Sequence, residues 1–371
     1  MPVKSERKTV VVLGGGVLGV STALQLVKKG AQVTLVTEAA LCSGASGRSL
    51  SWLNSAGERS AEYHALRMMG IDRYRTLFAE DPARDWLRFD GGLFWAANDT
   101  AGTMARHAYE KSHGYDSHVV DAHGIAEIDS AVNPAAPAEC AIVNPGEGWV
   151  SLPDLIRHLH QQFQALGGEV IEHAGKAEVM TDKGRACGIH CQKGTFRADA
   201  VLVACGPWTP DVVAPLGVAI PNGSPVSMLA ISQPVAQSIK LVMNTPRAAV
   251  RPNPGSTIAV DHDWYEEQIV PQPDGGYTIA ESVVDQLMEE AGALIGRGAP
   301  LHAQSWKLGL KPIPGDGEPV LGELQKVPGC FVAFTHSGAT LALIVGELLA
   351  DEIVDGKQHP MLATFRAERF H

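Results

Sequence analysis

The chain has 371 residues, of which 45% are hydrophobic and 19% are charged, and its formal net charge at pH 7 is −11. This length suggests two domains with ample core, and the composition excludes a disordered or fibrous protein. Because acidic residues outnumber basic ones, we predict no broad cationic surface and therefore neither nucleic acid nor a membrane as a partner.

The first apolar run of the chain lacks most features of a secretory signal. Residues 1–8 are basic and precede the run, but three consecutive glycines at residues 14–16 interrupt it. No small-residue cleavage site follows, and no uncharged apolar stretch elsewhere reaches the roughly 18 residues of a membrane span. Six cysteines are too few for a disulfide framework in a chain of this length. We therefore predict a cytoplasmic protein.

Two of the cysteines lie close together. Cys187 and Cys191 flank His190, and all three are ligand types that zinc accepts. No second pair of ligands follows at the spacing of a zinc site, so we interpret the thiols as part of a strand pair and predict no metal.

The predicted elements begin with a strand, a helix and a second strand. Residues 9–13 are apolar without polar alternation, which is typical of a strand buried on both faces of a parallel sheet. The pattern G-x-G-x-x-G follows at residues 14–19, and apolar residues then recur at helical spacing until Gly30. A second apolar strand is predicted at residues 32–36. A glycine motif in this context indicates dinucleotide binding.

Each glycine of the motif has a separate expected role. Gly14 permits the tight turn, Gly16 lets the backbone approach a pyrophosphate, and Gly19 lets the helix pack closely on the strand. Val17 and Leu18 begin the helix, whose first amides are expected to face the phosphates.

Two neighbouring residues are candidates for binding the adenosine ribose. An acidic residue is typical at the end of the second strand, but this chain has Thr37 there and Glu38 one residue later. Either Glu38 reaches the ribose after a small shift, or Thr37 and the backbone make part of the contact. A solvated Glu38 without a ligand is the structural alternative.

The segment at residues 44–52 bears on the identity of the dinucleotide. It combines glycines, small hydroxyl residues and one arginine, which suit the pyrophosphate and the ring of a flavin. NAD enzymes rarely need such a stretch here, although an NAD-dependent dehydrogenase stays an alternative. The candidate cofactor-binding residues of this segment are Ser46, Gly47, Arg48 and Ser49.

This segment and four later ones resemble the D-amino-acid oxidase superfamily of FAD-dependent enzymes, in the branch of glycine oxidase and monomeric sarcosine oxidase. The later segments are residues 148–153, 198–208, 309–322 and 335–342, in the family's order. The resemblance implies further cofactor-binding residues, which are Ala177, Ala204, Cys205, Gly206, Trp208, Ser337, Gly338, Ala339, Thr340 and Leu341. A helix predicted at residues 340–354 would aim its first amides at the edge of the flavin that becomes negative on reduction.

The resemblance also implies a mixed α/β fold. A Rossmann-type FAD-binding domain of the glutathione-reductase-like kind would be joined to a second, sheet-based substrate domain. The FAD-binding segments are expected at residues 1–80, 150–220 and 320–371, and the substrate domain at residues 81–149 and 221–319.

Local patterns predict elements of the substrate domain. Alternating residues indicate strands at 91–96 and 278–280, and turn-forming residues at 252–255 and 273–276 predict hairpins. A helix predicted at residues 283–294 would cover this mixed or antiparallel sheet.

The family oxidises amines beside a carboxylate, and the resemblance implies the same reaction here. The α-carbon of the amine gives a hydride to the flavin, water hydrolyses the imine, and dioxygen reoxidises the flavin to yield hydrogen peroxide. The implied substrate is glycine-like or N-substituted, such as glycine, sarcosine or iminodiacetate, and the product is an oxo acid such as glyoxylate plus an amine. A dehydrogenase that passes electrons to a quinone or carrier protein, and a flavin-binding protein without turnover, are the alternatives.

A substrate carboxylate requires a cation, and three residues are candidates. Lys311 stands where glycine oxidase-like relatives have a substrate-binding arginine, and His336 corresponds to another relative's arginine. Arg251 in the expected substrate sheet would supply a further cation, and Trp52 would shape the pocket over the flavin. Several cations around one pocket would also suit a substrate with two carboxylates. Because Gly309 stands where monomeric sarcosine oxidase attaches its flavin, we predict non-covalent FAD, in a monomer or homo-oligomer.

Overall fold

The computed structural model of the chain describes residues 7–97, 100–137, 139–296 and 300–370. Most of the basic N-terminal run that was weighed as a signal, residues 1–6, lies outside that part. The α-helices of the described residues are α1 (Val17–Lys28), α2 (Ala61–Glu80), α3 (Thr100–Ser112), α4 (Ala122–Ile128), α5 (Leu152–Ala165), α6 (Thr209–Val213), α7 (Glu281–Gly292) and α8 (Gly338–Asp355). None of them is both long enough and apolar enough to cross a membrane.

The strands of the described residues form two large sheets and three small ones. In chain order they are β1 (Thr9–Leu13), β2 (Gln32–Val36), β3 (Trp52–Leu53), β4 (Leu87–Arg88), β5 (Gly92–Phe94), β6 (His118–Val120), β7 (Ala141–Asn144), β8 (Gly148–Val150), β9 (Glu169–Ile171), β10 (Glu178–Asp182), β11 (Arg185–Cys191), β12 (Gly194–Arg197), β13 (Ala200–Val203), β14 (Val226–Ser232), β15 (Val242–Asn244), β16 (Ala249–Asn253), β17 (Thr257–Asp261), β18 (Val270–Pro271), β19 (Tyr277–Thr278), β20 (Ala303–Leu310), β21 (Val320–Glu323) and β22 (Cys330–Phe334).

The first large sheet has six strands in the order β21-β22-β13-β1-β2-β9. All its pairs are parallel except β21 with β22. Val12 of β1 lies opposite Leu202 on one side and Leu35 on the other. The strand, helix and strand predicted at the start of the chain are confirmed, and α1 ends at Lys28, just before Gly30.

Both faces of this sheet are buried, which explains why its strands lack polar alternation. Val10 and Val12 belong to the apolar core shared with α1, α5 and α8. Val11 and Leu13 face the opposite core, which includes β11 and the segment after β13. Each fully buried valine or leucine contributes about 1.5–3 kcal/mol to the free energy of unfolding. Burial on two faces therefore holds the carboxyl ends of β1, β2 and β13 side by side.

The second large sheet has eight strands in the order β20-β14-β17-β16-β15-β5-β7-β6, and it is mixed because β15 and β5 run parallel. The turns predicted at residues 252–255 and 273–276 connect the hairpins β16–β17 and β18–β19. Helix α7 packs on the sheet through Val284 and Leu287, as predicted for a helix in this segment.

The predicted strand at residues 278–280 is mostly wrong. Of these residues only Thr278 belongs to a strand, at the end of β19, which pairs with β18 in a separate two-stranded hairpin. These two strands are exposed or half-buried, so they have no apolar face to pack into the large sheet.

Two small sheets complete the description. Strands β10, β11 and β12 form an antiparallel sheet, and Cys187 and Cys191 lie on β11, as predicted for a strand pair. Strands β3, β8 and β4 form the other sheet, in which Trp52 lies opposite Trp149. The predicted domain boundary between residues 149 and 150 falls within β8.

Candidate active site

A cavity of about 1260 Å³ is lined by residues of both large sheets. Its wall includes the segments that follow β1, β2, β13 and β22, and the ends of β17 and β20. Ligands of parallel α/β sheets bind outside the carboxyl ends of the strands, which is where this cavity lies. The predicted site residues on its wall are Gly14, Gly16, Val17, Leu18, Thr37, Glu38, Ser46, Arg48, Ser49, Trp52, Ala177, Ala204, Cys205, Gly206, Trp208, Lys311, His336, Ser337, Gly338, Ala339 and Thr340.

The turn after β1 has no room for a side chain at two of its glycines. Gly14 has a φ of +122°, and a Cβ there would lie 2.2 Å from the carbonyl oxygen of Ala204. A Cβ at Gly19 would lie 2.0 Å from the carbonyl oxygen of Gly14, so α1 crosses the turn in close contact. Gly19 therefore acts behind the cavity wall and does not line it.

The N-terminus of α1 opens on the cavity. Gly16 is the N-cap residue, the first turn of α1 has no acidic side chain, and the Val17 amide donates to Ser46 Oγ at 3.0 Å. The partial positive charge of the helix end is therefore not neutralised by a carboxylate of its own. A phosphate group is the kind of anion that such a helix end accommodates.

Thr37 and Glu38 end β2 in different environments. Thr37 is 5% exposed, and its side chain packs against the backbone of Gly15. The side chain of Glu38 is exposed, and the residue lines the cavity. Of the two ribose candidates, only Glu38 presents a carboxylate.

A second helix N-terminus faces the same cavity. Ser337 is the N-cap of α8, Gly338 begins the helix, and its first turn has no acidic side chain. Arg67 of α2 donates a hydrogen bond to Ser337 Oγ. Leu341, which was predicted to bind the cofactor, is instead fully buried in the apolar core behind the wall, because it follows the first turn of the helix.

Arg48 connects the segment between β2 and β3 to the second large sheet. Its Nη2 donates to the carbonyl oxygen of Leu310 at 3.1 Å, and burial lowers its pKa. A Cβ at Gly309 would lie 2.4 Å from the guanidinium of Arg48, so a side chain there would displace it. Gly47 does not line the cavity, since a Cβ on it would point at the carbonyl oxygen of Cys42, 2.2 Å away.

Lys311 reaches the cavity from the end of β20. Its Nζ lies 3.4 Å from Glu266 Oε1 and 4.0 Å from Asp261 Oδ2. Asp261 also accepts a hydrogen bond from Tyr265 Oη at 2.7 Å. Lys311 is therefore part of a small ion-pair cluster, and a ligand carboxylate would share its charge with two protein carboxylates.

The family of the chain follows from its match to a known family model. The model of the DAO family, described as FAD dependent oxidoreductase, matches residues 9–352. The chain belongs to this family. The predicted relationship to FAD-dependent oxidoreductases is thereby confirmed, and the N-terminus of α1 with the glycine turn fits the phosphates of the family's cofactor.

Relatives of this oxidoreductase cover between half and nearly all of its length. The glycine oxidase of Pseudomonas putida is 27% identical over 365 residues, which is 93% of this chain and 94% of that protein. A D-amino acid dehydrogenase of Cereibacter sphaeroides is 31% identical over 191 residues, which is 49% of this chain and 41% of that protein. The crystal structure of iminodiacetate oxidase from Chelativorans sp. BNC1 has a TM-score of 0.80 and 20% identity, covering 96% of this chain and 98% of that one. The predicted mixed α/β fold is confirmed.

His336 of the oxidoreductase is uncharged at pH 7. Its ring is open to the cavity but surrounded by protein on the other sides. Burial, together with the charges of Lys311, Arg67 and Arg59, lowers the pKa of His336 to about 4. A neutral imidazole offers a hydrogen bond but not the positive charge for which the sequence made His336 a candidate.

Arg251 does not reach the cavity wall. It is 2% exposed, and its guanidinium donates to the carbonyl oxygens of Leu50 and Pro252. Burial lowers the pKa of Arg251 to about 9. Arg251 therefore does not make the predicted contact with a substrate carboxylate. Its hydrogen bonds instead join the segment before Trp52 to β16.

Sequence reasoning missed two arginines that line the cavity. Arg59 precedes α2, and Arg67 lies within it. The buried residues of α2 include Tyr63, Arg67, Ile71 and Tyr74 at steps of three or four, so Arg67 is a charge within an apolar helix stripe. In the sequence, a charged residue within such an apolar stripe was the pattern that could have indicated Arg67 as a site residue.

Trp52 is held from behind by a buried carboxyl group. Its indole Nε1 donates to Glu147 Oε2 at 2.7 Å, and Tyr115 Oη lies 2.6 Å from Glu147 Oε1. Glu147 is fully buried, and this burial raises its pKa to about 8. Glu147 therefore orients a wall residue of the oxidoreductase without lining the cavity itself.

Proposed function

We propose that this oxidoreductase oxidises the C–N bond of a glycine-like or N-substituted amino acid, such as glycine, sarcosine or iminodiacetate. The imine is hydrolysed to an oxo acid and an amine, and dioxygen is reduced to hydrogen peroxide. The observation that carries the proposal is one cavity that runs from the glycine turn after β1 to Lys311 at the end of β20. This arrangement suits a dinucleotide at one end and a carboxylate-bearing substrate at the other.

The residues that would hold FAD follow strands of the first sheet, and the second sheet would face the substrate. The turn at Gly14 and Gly16 and the first amides of α1 hold the pyrophosphate, while Glu38 binds the adenosine ribose. The first amides of α8 face the ring edge on which negative charge develops. FAD bound in this way would supply the acceptor for a hydride from the α-carbon of the substrate.

The chain's own side chains position the substrate. Lys311 presents a point charge to the carboxylate next to the reacting carbon, His336 offers a neutral imidazole, and Trp52 forms the wall. Holding the amine carbon against the cofactor supplies much of the rate enhancement in such a reaction, because the two reactants no longer have to meet by diffusion.

We propose that the FAD is bound without a covalent link. Gly309 has no side chain, and the guanidinium of Arg48 occupies the space above it. Burial, with a contribution from Glu38, raises the pKa of the Cys205 thiol on the cavity wall to about 12. A protonated thiol is a poor nucleophile, so Cys205 does not attack the cofactor at neutral pH.

An anaerobic screen of flavin reduction tests the proposed function. The purified holoenzyme is mixed without oxygen with glycine, sarcosine, iminodiacetate, proline and D-amino acids, and the visible absorbance of the flavin is followed. We expect at least one glycine-like or N-substituted amino acid to bleach the flavin. Absence of bleaching by every compound would overturn the proposal.

The similarity to a D-amino acid dehydrogenase over 49% of the chain favours an alternative to dioxygen as the electron acceptor. A dehydrogenase would pass the electrons to a quinone or carrier protein. Admitting air to the reduced enzyme separates the two, since an oxidase returns to the oxidised spectrum with stoichiometric hydrogen peroxide. A flavin that stays reduced in air but is reoxidised by a quinone would favour the dehydrogenase.

A further inference from the structure

Arg59 and Arg67 line the cavity with charges that the protein does not neutralise. Within the described residues, no carboxylate oxygen lies within 4.0 Å of either guanidinium, whereas Lys311 faces two carboxylates. Both arginines belong to the wall near His336, whose ring is affected by both of them and by Lys311. The cavity therefore holds two groups of cations around one imidazole.

Arg67 is fixed by neutral acceptors. It is 4% exposed, its Nε donates to the carbonyl oxygen of Asn54 at 2.8 Å, and its Nη2 donates to Asn54 Oδ1 at 3.1 Å. Its Nη1 donates to Ser337 Oγ. These bonds orient the guanidinium, and the centre of the Tyr63 ring lies 5.5 Å from it, but within the described residues no carboxylate pairs with its charge.

Arg59 has donors to spare. Its Nη2 donates to the carbonyl oxygen of Ala56 at 3.0 Å, and within the described residues its Nη1 donates no hydrogen bond. Burial and the neighbouring charge of Arg67 lower the pKa of Arg59 to about 10, so the side chain is still charged at pH 7. A half-buried charge on the cavity wall with an unused donor is therefore available to an anionic ligand.

We propose that Arg59 and Arg67 form a second anion subsite, which binds the distal carboxylate of an amino acid carrying two carboxylates. The inference rests on the proposed function, in which Lys311 binds the carboxylate next to the reacting carbon. The planar guanidinium groups suit a carboxylate through paired hydrogen bonds. The phosphates of the dinucleotide are served by the turn at Gly14, on the first sheet, and do not need these two arginines.

One pair of unreactive analogues tests the subsite in the holoenzyme. Oxydiacetate and methoxyacetate are the ether counterparts of iminodiacetate and sarcosine, and they differ only in the distal carboxylate. Their dissociation constants are measured from the change in flavin absorbance on binding. We expect the wild-type enzyme to bind oxydiacetate about 10–100-fold more tightly than methoxyacetate, the range for one charge-assisted contact.

Arg59→Gln is the decisive variant, because Arg59 makes few structural bonds. We expect it to weaken oxydiacetate about 10–100-fold and methoxyacetate by less than about 3-fold. Arg67→Lys keeps the positive charge but not the paired geometry, and we expect an intermediate loss for oxydiacetate only. Arg75→Gln is the matched control on the exposed face of α2 and is expected to change neither constant.

Three results would overturn the subsite. The first is that the wild type binds neither analogue, and the second is that it binds both with equal affinity. The third is that Arg59→Gln weakens the binding of both analogues equally, which would assign the arginines to the flavin ring. The proposed function is judged separately. If sarcosine reduces the flavin but the enzyme does not prefer oxydiacetate, the proposed function stands and the subsite is rejected. If the enzyme prefers oxydiacetate but no amine reduces the flavin, the subsite stands and the proposed function is rejected.

Discussion

The two ends of the cavity are built from different materials. The end at the first sheet consists mostly of backbone, namely the turn at Gly14, the first amides of α1 and α8, and small residues after β13. The end at the second sheet and α2 consists of charged side chains, including Lys311, Asp261 and Arg67. Backbone groups are tied to the fold, whereas side chains can be exchanged without refolding it. The first end therefore suits a constant cofactor and the second a substrate that varies among relatives.

The two ends also differ in electrostatics. The helix ends at the first sheet carry partial charges without acidic residues in their first turns, and this charge is available to any anion that enters. At the second end Lys311 is paired with carboxylates, while Arg59 and Arg67 have no such partner among the described residues. A substrate must compete for Lys311 but not for the arginines, so the unpaired arginines are the stronger source of selectivity between substrates.

The largest effect is expected where the backbone is closest. In Gly14→Ala the new Cβ would lie 2.2 Å from the carbonyl oxygen of Ala204, at a φ of +122°, so the turn or β13 has to move. We expect a loss of most of the bound FAD and of about 3 kcal/mol in the free energy of unfolding. Flavin absorbance per protein and denaturant unfolding measure the two effects.

Gly30→Ala is the matched control for that substitution. Gly30 also has a positive φ, +86°, but a Cβ there meets nothing within 4 Å. We expect only the conformational cost of about 1–2 kcal/mol, with the FAD retained. Equal losses in the two variants would show that the close approach of β13 to the turn is not what Gly14 provides.

Sequence reasoning reached the backbone end because its determinants are local. The predicted strands at residues 9–13 and 32–36 coincide with β1 and β2, since unbroken apolar runs beside a glycine turn leave few alternatives. The helix predicted at residues 340–354 is α8, which begins two residues earlier because Gly338 and Ala339 are already helical. A turn, a helix start and a buried strand each depend on neighbours in the sequence.

The charged end was harder to predict because its members come from distant segments. Arg251 is a candidate from the sequence because of its place in a predicted sheet. In the structure its side chain points away from the cavity and donates to the carbonyl oxygens of Leu50 and Pro252. Arg67 was overlooked because only the packing of α2 against the start of α8 brings it to the wall. Which cation faces a cavity depends on tertiary packing and side-chain direction, neither of which a motif specifies.

A smaller effect is expected at the charged end. Lys311→Met keeps the length of the side chain but leaves Asp261 and Glu266 without their cation. We expect the affinity for methoxyacetate, a ligand with one carboxylate, to fall about 10–100-fold, because a charge-assisted contact is lost and two carboxylates repel the ligand. Flavin absorbance measures the dissociation constant.

Lys307→Met provides the control for that variant, since Lys307 lies on the same strand and is exposed. It is expected to bind methoxyacetate as the wild type does. If Lys311→Met binds methoxyacetate with unchanged affinity, the single carboxylate of this ligand is bound by Arg59 and Arg67. There would then be no reason to propose two separate subsites.

The smallest effect on ligand binding is expected behind the wall that joins the two ends. Burial raises the pKa of Glu147 from 4.5 to about 8, so the folded protein keeps a proton that the unfolded chain releases between these pH values. The free energy of unfolding of the wild type is therefore expected to fall as the pH rises from about 5 to about 8. Denaturant unfolding at several pH values in this range measures the slope.

Glu147→Gln removes the ionisation but keeps an oxygen that accepts the hydrogen bond of Trp52. The part of the pH slope that belongs to Glu147 should therefore disappear, while ligand affinity changes by less than about 3-fold because the indole stays in place. The exposed Glu267→Gln should keep the wild-type slope. If Glu147→Gln keeps the wild-type pH slope of the free energy of unfolding, Glu147 is ionised in the folded protein. Trp52 would then be held by a buried charge, and the loss of that charge would weaken ligand binding at every pH.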